Sequence, residues 1–399
     1  MQKVLGEGGL RLLSTFFILW LARTLGAENF GRYSSAWAVA TLCVIFVDLG
    51  TNAILTREIA RHPTDRIRMA ESSHLLKVIL AIGSWCILLA ATYALHFSPS
   101  QRRLTLCLGV VAISQVLLDY LATLLNGIEE MGWEAILKVV CRAIALSFAF
   151  WALWVGKSLM GIAVAMAWGS LAGYSVAVAI VHYRFGSFGF GFDKTFLKSL
   201  LRASIPLFGC VLFWVLYDSQ DVILLNYFRF PQQQIGWFSA AMKIIDVLRV
   251  YPVLMMGVFF PVLSRLHASD PEGFRLKERR LFIFMTWSLL AVAAIGYAAA
   301  PLLIRILYKS DYMPASDYLR LLMPPLVGMG INFFQMQVLI ALDQERKLFA
   351  AAVLTCVTNL VFACLLLPRF GVPGICYALL GSEIIYFLYM RHMRTALRQ

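Results

Sequence analysis

Arg11, Arg142, Lys243 and Arg249 stand inside long runs of apolar residues, and so do Asp48, Asp119, Asp218, Asp221, Asp246 and Glu383. An ionisable side chain in such a run is expensive, and where the run crosses a bilayer it faces a partner, a water-filled cavity or a transported group. The four cations suit an anionic group. The carboxylates suit a proton, a sodium ion or the cations themselves. Lys243, Asp246 and Arg249 follow at steps of three, which confines them to an arc of about 120° on one helix. That face serves either a substrate path or a self-neutralising contact with a neighbouring helix. Asp218 and Asp221 share one side of the preceding run and either bind a coupling ion or hold Lys243 and Arg249 in place; Asp48 and Asp119, near the ends of theirs, are assigned the same two roles. Glu130, Glu134, Lys138 and Arg142 form a ladder at steps of four, and Arg142, its deepest rung, either reaches substrate or pairs with Glu134. Arg11, near the start of its run, contacts substrate or snorkels to the interface.

The elements that must carry these charges are membrane helices. Of the 399 residues 60% are apolar or aromatic and 14% are charged, against about 25% charged in soluble domains. Apolar runs long enough to cross a bilayer as helices recur at 9–24, 33–53, 75–95, 104–125, 136–155 and 159–181, and again at 201–225, 235–263, 281–307, 318–342, 348–367 and 372–390. They are continuous rather than alternating, which favours helix over strand. The fold expected is an all-α integral membrane protein of twelve transmembrane helices. Glu7 and the lack of a small-residue cleavage site argue for a retained first helix. Sorted by the side each connection would occupy, about twice as many Lys and Arg fall with the two termini as opposite them, Lys77 among them, so both termini are expected in the cytoplasm. The net charge of +13 follows from these basic connections; dispersed among spans, they do not make a nucleic-acid surface.

A repeat organises the runs. FGRYSSAWAV from Phe30 is echoed by IGWFSAAMKI from Ile235, with Gly31, Ser34 and Ala36 matching Gly236, Ser239 and Ala241, and Tyr33 matching Phe238. Each copy opens the second span of a six-span half. An even number of spans per half gives both halves the same orientation, hence a parallel pseudo-repeat of two six-helix bundles with a central cavity. The boundaries expected are an N-terminal bundle at 1–182, a glycine-rich, aromatic and basic interfacial linker at 183–199, and a C-terminal bundle at 200–399. The eight cysteines lie in or beside apolar runs without a CxxC pair and read as packing residues. The histidines lack metal-ligand spacing, and no GxSxG elbow, P-loop or long loop able to hold a catalytic domain is present. No enzyme, metal or cofactor is expected.

Along nearly the whole chain the motif order resembles one family: LARTLGAENFGRYSSAWAV from Leu21, DLGTNAILTREIA from Asp48, SIPLFG from Ser204, DVILLNYF from Asp221, IGWFSAAMKI, FFPVLSR from Phe259, APLLIRILY from Ala300, LDQERK from Leu342 and GVPGICYALLGSEIIYF from Gly371. The chain is similar to the polysaccharide biosynthesis, or oligosaccharide flippase, family, of the multidrug/oligosaccharidyl-lipid/polysaccharide exporter superfamily. The resemblance implies export of a polyprenyl-diphosphate-linked oligosaccharide across the bacterial plasma membrane by alternating access, for surface polysaccharide assembly. The partners it implies are the lipid-linked substrate, membrane lipids and polysaccharide-assembly proteins, with the chain itself a monomer. A cation-coupled multidrug or small-molecule exporter of the same superfamily is the alternative and would favour an acidic, aromatic cavity. A major-facilitator carrier shares the six-plus-six plan but its glycine arrangement is missing.

Overall fold

Gly26 interrupts the first helix. Its φ of 76° and ψ of 167° lie in a region essentially confined to glycine, so α1 (Gln2–Asp48) is two helical segments joined without a loop. The computed structural model describes the backbone at 2–342 and 346–396, and the side chains of those residues except 2–13, 267, 268, 271, 346, 347 and 394–396. Among the described residues no strand occurs and eleven helical stretches are long and apolar enough to span a membrane. The twelve runs expected become eleven because the first two share one stretch, Ser14–Arg61 of 48 residues. At 1.5 Å per residue that is about 72 Å of helix, more than twice the ~30 Å hydrocarbon core, and the break at Gly26 divides it.

A second break, at Leu49 (φ 48°) and Gly50 (φ 70°), separates α1 from α2 (Thr51–Arg61). A Cβ on Gly50 would press on the backbone of Phe208 and Ser204 at 3.0 and 3.2 Å, so left-handed backbone and close packing both demand glycine. There follow α3 (Arg66–Ala94), α4 (Pro99–Gly127), α5 (Met131–Trp154), α6 (Leu159–Arg184) and α7 (Lys194–Tyr227). Several starts are written locally. Ser98 and Ser158 accept the amides of Gln101 and Gly161, and Asp193 accepts those of Thr195 and Phe196, each satisfying a donor the first turn leaves free. The remaining helices are α8 (Gln232–Leu248), α9 (Val250–Ser269), α10 (Pro271–Leu307), α11 (Ala315–Ala341), α12 (Arg346–Phe370) and α13 (Pro373–Ala396).

The chain divides into two compact units, Met1–Leu25 with Arg32–Val215 and Gly26–Gly31 with Leu216–Gln399. In the first, α6 packs on α4 and α5, and α2 and α3 pack on α4, around Leu55, Ile59, Tyr120, Leu124, Leu137 and Val181. In the second, α11 packs against α8, α9, α10 and α13, around Met256, Met285, Leu289, Phe334 and Val338. Large apolar side chains such as Trp168, Trp214 and Trp287 remain more than 60% exposed, as a helix surrounded by lipid allows.

The echoed glycines meet inside the second unit. A Cβ on Gly31 would overlap the Gln232 carbonyl and stand 2.9 Å from the Gly236 nitrogen; one on Gly236 would overlap the Ala27 carbonyl and stand 3.1 Å from the Gly31 nitrogen. Neither position accepts any other residue without parting the helices. In lipid, where apolar burial does not drive association, such backbone approach is a main source of helix adhesion.

Candidate functional site

In the second unit α8 is held at two points: Trp237 Nε1 donates to the Asp311 carbonyl at 2.7 Å, and the Tyr308 hydroxyl to the Ala240 carbonyl at 3.1 Å. This fixes the face that carries the charges. Lys243 Nζ lies 2.8 Å from Asp246 Oδ2, and Arg249 Nη1 lies 3.1 Å from Asp218 Oδ1 on α7 and 3.4 Å from Asp246 Oδ1. Arg249 Nε and Nη2 rest on the Met329 sulfur at 3.2 and 3.0 Å. Two cations and two carboxylates therefore form a closed, neutral cluster. Asp246 is its shared acid, because steps of three along one helix put both cations within its reach.

One turn beyond Asp218, Asp221 points into the helix packing instead. It is buried, and its Oδ1 has no hydrogen-bond partner among the described residues. Around the same helix the buried Glu383 of α13 receives the Tyr217 hydroxyl on Oε1 and Asn332 Nδ2 on Oε2 at 2.6 Å, and the same amide reaches its carbonyl at 2.9 Å. Gln220 Nε2 donates to Asn359 Oδ1. Asp221 and Glu383 thus belong to a polar seam shared by α7, α11, α12 and α13, in which an unsatisfied carboxylate oxygen calls for a proton or a cation.

In the first unit Arg142 is placed differently. Its Nε and Nη2 both donate to Ser14 Oγ, at 3.2 and 3.1 Å, and no carboxylate among the described residues stands within ion-pair distance of it. The ladder below explains this: Glu134 takes Lys138 at 2.8 Å, too far along α5 to serve Arg142. Asp119 is within electrostatic reach of Arg142 without forming an ion pair. Asp48 has an unexpected partner, Lys77, whose Nζ bonds its Oδ1 at 2.7 Å and its carbonyl at 3.2 Å. The break at Leu49 and Gly50 frees that carbonyl at a helix C-terminus, where a cation is favoured. The charge sorting places Lys77 with the cytoplasmic connections; in the structure it lies within α3 at 1% exposure. Its position two residues inside an apolar run was the available signal. Tyr217, Gln220, Asn332 and Asn359 were missed as well, since a neutral polar residue in a long apolar run carries no charge to draw attention. The side chain of Arg11 lies outside those described.

Membrane-spanning helices in two units, with ionisable side chains set inside the spans, define a multi-pass membrane protein. Several solved structures share the fold, two of them as follows. An inward-facing MATE family transporter of the MOP superfamily matches with a TM-score of 0.77 at 17% identity, covering 98% of this chain and 95% of that one. The lipid II flippase MurJ, in an inward closed conformation, matches with a TM-score of 0.60 at 15% identity, covering 96% and 81%. Residues 4–267 match the family described as polysaccharide biosynthesis protein, and the chain belongs to that family. Among its relatives are putative O-antigen transporters of Shigella flexneri, 22% identical over 93% of this chain and 92% of the relative, and of Escherichia coli K12, 22% identical over 95% and 92%.

Proposed function

We propose that this protein flips a polyprenyl-diphosphate-linked oligosaccharide from the cytoplasmic to the outer leaflet of the bacterial plasma membrane by alternating access, without enzymatic chemistry and with both termini cytoplasmic. Family membership and the O-antigen transporter relatives supply the substrate class. The observation that carries the site is Arg142, an intramembrane cation held by a hydroxyl rather than by a carboxylate. A guanidinium without a direct carboxylate partner in a low-dielectric span is costly, and an incoming diphosphate supplies one in bidentate geometry. The two cations of the second-unit cluster already have acids: Lys243 is bound within its own helix by Asp246, Arg249 ties the end of α8 to α7 through Asp218, and neither is the first diphosphate contact. Asp221 is the candidate for a coupling proton or cation.

The test is a gene deletion complemented with wild type or Arg142→Ala in a strain that makes a lipid-linked surface glycan. The deletion should accumulate that glycan lipid on the cytoplasmic leaflet. Arg142→Ala should fail to relieve it at normal membrane abundance, and Arg142→Lys should relieve it in part, keeping charge but not the fork. A deletion strain that accumulates none, and gains sensitivity to cationic drugs instead, would return the reading to a multidrug exporter.

A further inference from the structure

We infer that the linker and the first turns of α7 form a binding surface for anionic phospholipid headgroups. The basic residues at this end of the first unit fall into two groups. Arg68 is bound to Asp193 at 2.8 Å, Arg184 to Glu130 at 3.2 Å, and Arg66 lies over the Phe185 ring at 5.5 Å. Lys194, Lys198 and Arg202 are exposed and have no ion-pair partner among the described residues. They recur at steps of four, so they line one face of α7 across about 12 Å. The opposite face carries Leu197, Leu200 and Ser204, all buried.

The segment leading into this stripe is braced. The Gly189 amide donates to Glu71 at 3.4 Å and the Asp193 amide to the Ser72 hydroxyl at 3.1 Å, while Phe188 is buried between the rings of His182 and His74 at 4.9 and 5.7 Å. Held in this way, the linker presents Phe190 and Phe192 outward at 67% and 72% exposure. Asp193 occupies the amides at the start of α7, which leaves the stripe itself, not the helix terminus, as the anion-binding feature. Exposed aromatic rings beside a row of free cations match the boundary between acyl chains and negative headgroups. A shallow, open row of this kind fits the abundant phospholipid of the leaflet better than one enclosed ligand.

The test uses the full-length protein in detergent, titrated with phosphatidylglycerol or phosphatidylcholine and read by native mass spectrometry and thermal midpoint. Wild type should retain phosphatidylglycerol selectively. Lys194→Gln/Lys198→Gln/Arg202→Gln should weaken that retention on the order of a hundredfold, at about tenfold or less per charge, with the midpoint in phosphatidylcholine unchanged. Lys194→Arg/Lys198→Arg/Arg202→Lys should keep it, which separates charge from any folding defect. Undiminished phosphatidylglycerol binding by the neutral variant overturns the inference. So does loss of binding in the charge-conserving one. Displacement of the lipid from wild type by inorganic pyrophosphate would mark a site for free phosphate instead, and selective retention of a polyprenyl diphosphate over phosphatidylglycerol would mark a substrate entry point; either result also refutes it.

Discussion

Removing Lys243 and Asp246 together should leave export close to wild type, whereas removing Lys243 alone should lower it several-fold. The four charges of the second-unit cluster form a chain of pairs at 2.8, 3.4 and 3.1 Å running Lys243, Asp246, Arg249, Asp218. Taking out Lys243 and Asp246 leaves Arg249 with Asp218, and taking out Arg249 and Asp218 leaves Lys243 with Asp246, so each double variant stays neutral. A single change leaves one charge in excess. At an effective dielectric of 20, a pair with charges about 4 Å apart interacts by about 4 kcal/mol. Asp218 is 53% exposed and Lys243 and Asp246 are 39% and 35% exposed, so screening cuts this toward the ~1 kcal/mol of open pairs. The imbalance left by a single change is therefore on the order of 1 kcal/mol, enough to shift a conformational equilibrium about fivefold. The assay is export of the lipid-linked glycan at matched membrane abundance. Lys243→Ala and Arg249→Ala should each reduce export several-fold, and Lys243→Ala/Asp246→Ala and Arg249→Ala/Asp218→Ala should recover most of it. A double variant as inactive as its single parent would refute the pairing argument and give that cation a direct part in transport.

Gly31→Ala and Gly236→Ala should each lower the thermal midpoint in detergent, since the added Cβ meets backbone that cannot yield; Gly83→Ala in α3, with open space around it, should be neutral or stabilising by about 0.5–1 kcal/mol. Lys77→Met should reduce membrane abundance severely, as breaking a buried pair costs about 3–5 kcal/mol, and Lys77→Met/Asp48→Asn should restore it in immunoblots. Asp221→Asn should preserve abundance but remove whatever dependence on sodium or proton gradient wild-type export shows in proteoliposomes; unchanged dependence would exclude Asp221 from coupling. Cysteines at the exposed positions Arg61 and Glu272 should label from the cytoplasm, and ones at Ser100 and Gln233 from outside; Arg61 and Ser100 labelling from one side would contradict the topology.

What the sequence reveals here depends on how far apart the interacting residues lie. The apolar runs announce the helices because a bilayer forces the backbone to satisfy its own hydrogen bonds. Lys243, Asp246 and Arg249 were readable as one face because helical geometry alone brings them together. The echo of Gly31 in Gly236 was visible as a repeat, and the structure adds that the two glycines touch. Asp218 with Arg249, Lys77 with Asp48, and Ser14 with Arg142 are different. They join residues 31, 29 and 128 positions apart, and no local periodicity encodes which helices become neighbours. The break at Gly26 was hidden for another reason: glycine is common in membrane helices, and only its backbone angles separate a hinge residue from a packing residue.

The contrast between the two charge clusters bears on how a flippase would let its cargo go. A site that met a diphosphate with several unpaired cations would bind it too tightly to release, since every such contact strengthens in low dielectric. In the second-unit cluster Lys243 and Arg249 each already have a carboxylate, so a phosphate there would have to displace an acid and would gain only the difference between two similar interactions. In the first unit Arg142 keeps a hydroxyl partner, Ser14, that costs little to exchange. One exchangeable cation is enough to select a phosphate over a neutral headgroup, and its single charge sets a limit on affinity. It follows that adding a carboxylate beside Arg142, as in Ser14→Asp, should abolish export while improving stability in detergent, because the new acid would neutralise the guanidinium permanently. If Ser14→Asp still exports at wild-type rate, the diphosphate is held elsewhere, and the exchangeable-partner argument fails with it.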